Sequence, residues 1–322
     1  MRRVLEAYKY SRRISKVCDY NQSVLGLLKE TSMRARRAIL YTPASEWAKI
    51  QKSASLMVDS LCLDLEDGTS LNKKETARGF ALRALYELDF GTSEKLVRIN
   101  PVGSGLELED LDRVLPGHPD GIVLPKAETL DQVLWLCQRI EAEEINRGWQ
   151  SGRVRIILVV ESALGILNLR ELVQHPRVDA LIFGAEDFTA SINAKRSNGM
   201  QEVLFARSSI VVHAAAYGKQ AIDMVSINFR DYVNLKIESA AGAMLGFAGK
   251  QVIHPAQIEI VQSAFSPNQA EIDDALELIR QFEAHTAEGQ GAFEFQGKMV
   301  DMPLIKQAEN ILAKAKSAAK IE

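Results

Sequence analysis

Cysteine and histidine are scarce in this chain, three and five residues in 322. Cys18, Cys62 and Cys137 are odd in number and far apart, and two of them sit inside apolar runs. That excludes a disulfide framework and leaves reduced thiols, two of them expected in the core. The histidines show no metal-ligand spacing such as H-E-x-x-H, so a zinc enzyme is not expected. Also missing is any apolar run near the roughly 18–20 residues a spanning helix needs. Charge of one sign is missing too. With 39 basic against 42 acidic side chains the net charge is -3, which offers neither nucleic acid nor a membrane surface a reason to bind. Composition is otherwise that of an ordinary globular protein, and small-molecule chemistry is the default expectation.

The length fits two average domains or one (β/α)₈ barrel with additions. Residues 1–36 stand apart as a basic leader, with only Glu6, Asp19 and Glu30 against Arg2, Arg3, Lys9, Arg12, Arg13, Lys16, Lys29, Arg34 and Arg36. A basic, acid-poor leader has the composition of a mitochondrial transit peptide, which predicts a mitochondrial matrix location. A solvated N-terminal helix, with a cytoplasmic location, is the plainer alternative.

From Arg37 to about His254 short β-type runs alternate with helix-competent segments, the pattern of βα units around a parallel sheet. The runs fall at 37–41, 58–65, 95–100, 120–124, 154–161, 178–183, 220–225 and 250–253. Eight such strands interleaved with helices, among them 129–148 and 201–217, predict an α/β fold with a closed TIM barrel over 37–265. The stretches 154–160 and 178–183 are nearly continuous apolar runs, as expected of parallel strands covered on both faces. Residues 266–322 form a C-terminal helical extension: a helix across 269–285, a Gly-rich stretch at Glu288-Gly289-Gln290-Gly291, and a final helix from about Pro303 to Ala318. This exceeds what barrel closure needs, so it is expected to be a lid, a subunit contact, or both.

Polar residues gather where the predicted strands stop. Glu161 follows Val159-Val160, and Asp187 follows Ile182-Phe183-Gly184, each as the chain turns toward a helix. On neighbouring strands both acids emerge at the C-terminal rim, where such barrels carry their chemistry. Two acids in an oxygen-only setting favour Mg²⁺, which leaves positions for water and substrate. Tyr41, Asp64, Glu66, Asp67, Arg98, Asn100, Lys126, Glu128 and His254 stand at the other strand ends. Singly, each reads equally well as a surface salt bridge or a cap, and Asp67 before Gly68-Thr69-Ser70 as a turn residue. Arg98, inside an otherwise apolar strand, suits a substrate carboxylate or a developing enolate oxygen, or else a buried ion pair with Asp64 or Glu66. Both hold together if Asp64, Glu66 and Asp67 orient metal-bound water from behind the ligands. A metal-dependent pyruvate aldolase on a similar barrel and a non-catalytic assembly subunit are both functions such a rim allows.

Seven segments, in order, carry a resemblance: Tyr41-Thr42-Pro43-Ala44, Asp64-Leu65-Glu66-Asp67-Gly68, Val97-Arg98-Ile99-Asn100, Leu124-Pro125-Lys126, Val160-Glu161-Ser162-Ala163, Gly184-Ala185-Glu186-Asp187-Phe188 and Gly249-Lys250-Gln251-Val252-Ile253-His254-Pro255. They resemble the acyl-CoA lyase family related to the citrate lyase beta subunit, over nearly the whole chain from Arg37 on. The stretch Phe295-Gln296-Gly297-Lys298-Met299-Val300-Asp301-Met302-Pro303-Leu304 and the segment from Ala221 to Val225, with Phe229-Arg230-Asp231, resemble that family's mitochondrial branch.

The resemblance implies a Mg²⁺-dependent carbon–carbon lyase that splits (3S)-citramalyl-CoA reversibly into pyruvate and acetyl-CoA. Malyl-CoA lyase or malate synthase activity with glyoxylate is the neighbouring reaction, since one methyl in a pocket is worth only about 1–3 kcal/mol, and a citrate lyase beta-type subunit is the alternative. By the same resemblance Glu161 and Asp187 match the Mg²⁺ ligands and Arg98 the substrate-binding arginine. Asp301 matches the catalytic acid/base, delivered by the tail of an adjacent subunit in a homo-oligomer, a trimer. Tyr41, Lys52, Ile253 and His254 match positions that contact the acyl-CoA thioester. Where relatives carry another lysine shortly before Lys52 this chain has Ala48 and then Lys49, so Lys49 is expected to take over a CoA-phosphate contact. An apolar lid with Phe293, Phe295 and Met299 is expected to raise the pKa of Asp301 on closing. The alternative for Asp301, two residues before Pro303, is a helix N-cap.

Overall fold

The computed structural model describes residues 34–197, 199–287 and 293–318. The leader up to residue 33, with Cys18, and the Gly-rich stretch 288–291 lie outside the described residues.

Period-two alternation in short β-branched runs builds β1 (Ala38–Pro43), β2 (Ser60–Asp64), β3 (Glu94–Arg98), β4 (Gly121–Leu124), β5 (Arg155–Val160), β6 (Val178–Phe183), β7 (Gln220–Asp223) and β8 (Gly249–Val252). They pair in parallel and in sequence order, and β8 closes back onto β1. Around them run α1 (Trp47–Ala54), α2 (Lys74–Glu87), α3 (Glu107–Val114), α4 (Leu130–Asn146), α5 (Ala163–Leu167), α6 (Leu169–Val173), α7 (Ala185–Ser191), α8 (Gln201–Ala216), α9 (Tyr232–Leu245) and α10 (Ile258–Ala264). The expected TIM barrel is therefore the observed fold. Some strands are shorter than the sequence pattern, because side-chain alternation continues past the last ladder hydrogen bond.

Inward positions change character along each strand. Ser60, Cys62 and Asp64 share one face of β2, and Glu94, Leu96 and Arg98 share one face of β3. The middle layer is apolar, with Ile39, Cys62, Leu96, Val123, Ile157, Ala180 and Ile222 buried together. At the floor Arg36 is clamped by Glu94 through two hydrogen bonds of 2.8 and 2.7 Å, by Asp179 at 2.5 Å and by Gln220 at 2.8 Å. The compact barrel unit accordingly runs Arg36–Pro267, so Arg36, which the sequence assigns to the leader, belongs to the barrel. A basic residue at the end of a basic stretch gives no sign that it faces a buried carboxylate. Cys62 and Cys137 are buried free thiols.

Residues from Asn268 on belong to a second unit. It contains α11 (Gln269–Ala287), β9 (Phe293–Phe295), β10 (Lys298–Val300) and α12 (Met302–Ser317). The two strands form an antiparallel hairpin absent from the sequence reading, turned by Gln296 and Gly297 with φ of 50° and 75°. Gln-Gly between two alternating triplets is the signal that was there to find. Phe293 packs with Val300 and Ile305 in the core of this unit and stacks on His285 with ring centroids 4.5 Å apart. Met299 is exposed, and Phe295 lies at the edge of that core. Among the described residues no helix is long and apolar enough to cross a membrane.

Candidate active site

Register decides which acids meet at the rim. Val160 pairs with Phe183, so Glu161, one residue past β5, stands beside Gly184, one residue past β6. A Cβ on Gly184 would lie 2.5 Å from both Cβ and Oε2 of Glu161, and only glycine leaves the carboxylate its place. Ser162 caps α5 by accepting from the Gly165 N–H at 3.1 Å, which ends the strand just after Glu161. Asp187 sits in the first turn of α7 and is exposed. Glu161 and Asp187 line one cleft of about 380 Å³, together with Lys126, Glu128, Ser162 and the loop Pro101–Ser104.

The cleft concentrates negative charge. Burial, then the charge of Glu66, and also Asp187, push the Glu161 carboxyl up to about 8, against the Lys126 backbone N–H that donates to its Oε1 at 2.7 Å. Lys126 adopts a left-handed conformation, φ 49°, at this point. Burial likewise holds Glu66 at about 7; Arg98 opposes the shift and Asp67 and Asp64 add to it. A buried carboxyl that resists ionisation beside other acids, as Glu161 does, fits a divalent cation, whose charge compensates it. Among the described residues no three His, Cys, Asp or Glu side chains converge as a complete metal cage. Two carboxylates with the remaining positions left to water and substrate is how Mg²⁺ is commonly held.

Beside this pair, Asp64 and Arg98 are direct partners in the β2–β3 register. Arg98 donates from Nε to Asp64 Oδ1 and from Nη2 to Oδ2, both at 2.7 Å, and its Nη1 lies 2.8 Å from Glu66 Oε2. The Glu66 contact is an ion pair without hydrogen-bond alignment, since both carboxylate oxygens are buried with no hydrogen bond. Asp64 also accepts from the N–H groups of Glu66 and Gly68, at 3.0 and 2.9 Å, so the loop after β2 folds around it. Lys74 Nζ reaches the Leu65 and Glu66 carbonyls and Asn100 Oδ1 at 2.6 to 2.8 Å, pinning that loop from behind. Each Nη of Arg98 keeps an N–H for an incoming anion. The sequence posed substrate arginine and buried ion pair as alternatives; the ion pair is present and leaves those donors.

The HpcH/HpaI aldolase/citrate lyase family matches residues 37–255. The chain belongs to this family. It is 44% identical to human mitochondrial citramalyl-CoA lyase over 88% of its own length and 86% of that protein. To the citrate lyase beta subunit of Escherichia coli K12 it is 34% identical, over 89% of this chain and 96% of the other. Among solved structures, CitE from Mycobacterium tuberculosis in complex with magnesium, acetoacetate and coenzyme A superposes with a TM-score of 0.73 at 30% identity, covering 88% of this chain and 98% of that one. Membership makes the chain a carbon–carbon lyase, and Mg²⁺ is the cofactor.

The remaining sequence-picked residues of this lyase are spread along the rim and beyond. Tyr41 is buried under Arg98, whose guanidinium stands 5.0 Å from the ring centroid, and its hydroxyl has no hydrogen-bond partner. Lys49 and Lys52 are exposed on α1, where Lys49 pairs with Glu46 at 2.9 Å. Ile253 is exposed after β8, and His254 Nδ1 accepts from the Ala256 N–H at 3.2 Å, which leaves Nε2 to carry the proton. Asp67 is exposed in the turn, from where its charge adds to the upward shift of Glu66. Asp301 belongs to the second unit; it occupies the N-cap position of α12, yet its side chain makes no capping hydrogen bond and is exposed. Lys126, picked for its charge, contributes through its left-handed backbone, and two contributors had been given no role: Gly184, and buried Gln257, whose Oε1 accepts from the Ile253 and His254 N–H groups at 2.9 and 3.2 Å. The Gln two places after His254-Pro255 was the visible sign of the last.

Proposed function

We propose that this lyase cleaves citramalyl-CoA to pyruvate and acetyl-CoA, reversibly, with Mg²⁺ held by Glu161 and Asp187. The observation that carries the metal site is Glu161, buried, held near 8 and sharing one cleft with Asp187. The 44% identity to human citramalyl-CoA lyase supports the substrate. When bound, Mg²⁺ supplies Lewis acidity to the hydroxyl and keto oxygens and neutralises the carboxylate of the 2-oxo acid.

The chain's own groups do the rest. Glu161 is kept in line by the Lys126 N–H. Arg98, its fork fixed by Asp64, presents its remaining N–H donors to a substrate carboxylate or a developing oxyanion. Asp64 and Glu66 set that orientation. As the carbon–carbon bond breaks, the hydroxyl proton leaves to water, and Asp301, on an exposed turn before α12, hands a proton to the methylene carbon of the departing acetyl thioester; in condensation it removes that proton and the new alkoxide takes one from water. Its unused N-cap carboxylate is consistent with a proton-transfer role, and we place it at the cleft of a second copy in a homo-oligomer, a trimer. Tyr41, Lys49, Lys52, Ile253 and His254 line the approach of the thioester, and the basic leader directs the protein to the mitochondrion.

Mass-spectrometric detection of pyruvate and acetyl-CoA from citramalyl-CoA, with and without EDTA, tests the reading. Metal-dependent formation of both is expected. Turnover that survives EDTA, or preference for malyl-CoA, counts against it.

A further inference from the structure

Phe229 stacks on His254, ring centroids 5.1 Å apart and planes 26° from parallel, and the Arg230 guanidinium lies 5.3 Å from the Phe229 ring centroid. Arg230 and Phe229 lie in the loop between β7 and α9, His254 follows β8, and Lys49 and Lys52 ride on the helix after β1. These strands are consecutive in the closed barrel, so the groups form one arc of the C-terminal rim. We infer that Arg230 is a phosphate-binding residue that recognises the nucleotide end of the CoA thioester; this rests on the substrate class proposed above.

Chemistry and placement support it together. Arg230 is exposed, and the Asp231 carboxylate beside it is engaged in capping α9, accepting from the Asn234 N–H at 3.0 Å. The phenyl face orients the guanidinium, and a pre-oriented fork loses less freedom on meeting a phosphate than a free side chain does. Ile227 and Ile253, near Phe229 and His254 in the chain, are 57% and 43% exposed and offer apolar surface suited to a planar base or a pantetheine arm. Lys49, which the sequence offered for a phosphate contact, already shares its charge with Glu46. A planar, bidentate donor matches a phosphate monoester better than a lysine does.

Calorimetric titration of the full-length protein with coenzyme A and with pantetheine, for wild type, Arg230→Ala and Arg230→Lys, tests this. Arg230→Ala is expected to weaken coenzyme A binding about 10- to 100-fold, as for a lost charge-assisted contact, and to leave pantetheine binding unchanged. Arg230→Lys should fall between. An unchanged coenzyme A affinity in Arg230→Ala overturns the assignment, as does an equal loss toward pantetheine, which would mark a merely structural role. If wild type binds no coenzyme A at all, the proposed function fails first and this inference with it. Thermal unfolding of each variant at the wild-type temperature shows that the readout is binding and not folding.

Discussion

The space that a side chain would take at Gly184 is filled by the carboxylate of Glu161, 2.5 Å from where the added carbon would stand. The Gly184 backbone has φ -93°, open to any residue, so the restriction is steric and not conformational. Because the added carbon would stand 2.5 Å from the Glu161 Cβ as well, Gly184→Ala should displace Glu161 together with the strand end that carries it, at a cost of about 1–3 kcal/mol in stability. Mg²⁺ affinity should drop about 10- to 100-fold, as for other supports of a metal ligand. Competition of Mg²⁺ with bound Mn²⁺, followed by electron paramagnetic resonance, measures it; wild-type affinity would show that the carboxylate has another place to go.

Protons and metal compete for the same carboxyls. Glu161 at about 8 and Glu66 at about 7 stand above their ordinary 4.5, so between 4.5 and 8 the metal-free native state binds more protons than the unfolded chain. Its stability should fall as pH rises through that window, with the full loss reached above about 8. Mg²⁺ binds the ionised form, so the rise in melting temperature it causes should be small at about pH 5.5 and large at about pH 8.5. Differential scanning calorimetry of EDTA-treated and Mg²⁺-loaded protein checks both slopes, and a pH-independent Mg²⁺ effect contradicts them.

Asp64 holds the Arg98 fork with two bonds of 2.7 Å and folds its own loop with two more. Asp64→Asn removes the charge and, because an amide nitrogen cannot accept, one of the two Arg98 bonds. A misplacement of this kind costs on the order of 10²-fold in kcat/KM. Steady-state kinetics should show the loss with Mg²⁺ affinity near wild type; unchanged kcat/KM means that Arg98 needs no such anchor.

Tail and metal site should complement between copies. Asp301→Asn and Glu161→Gln are each expected to be inactive, the first still binding CoA. Co-expressed and purified together, they should regain part of the activity, because a mixed oligomer contains sites with one intact Glu161 and one intact Asp301. Activity measured against the subunit ratio decides it: no recovery places both groups within the same copy.

Arg36 is the floor of the barrel. Arg36→Met leaves Glu94, which is buried, without its guanidinium and should cost about 3–5 kcal/mol. Adding Glu94→Leu should restore part of the loss, since it removes the buried carboxylate that Arg36 held, while the Asp179 and Gln220 contacts of Arg36 stay lost. Urea unfolding of the single and double variants measures the coupling, and an additive double variant would mean that the two residues act independently.

Much of this was legible from residue order alone. Alternation and β-branched runs placed all eight strands, because a parallel sheet buried on both faces needs continuous apolar side chains wherever it occurs. An acid directly after such a run, or in the first helical turn beyond it, marks the rim, and so Glu161 and Asp187 stood out in the sequence. The Phe293–Val300 hairpin escaped because three-residue strands carry too little pattern to outweigh the helices on either side.

Local sequence thus determined the strands, the helices and which ends bear charge, since propensity and periodicity act over neighbouring residues. Tertiary structure alone decided that Asp64 is spent on Arg98 while Asp67 is not, that Gly184 leaves room for Glu161, and that Arg36 closes the barrel against Glu94. Those are matters of register and closure. Residues far apart in the chain meet only when a particular pairing brings their inward faces level, and the burial that then shifts Glu161 and Glu66 exists only once the barrel has shut around them.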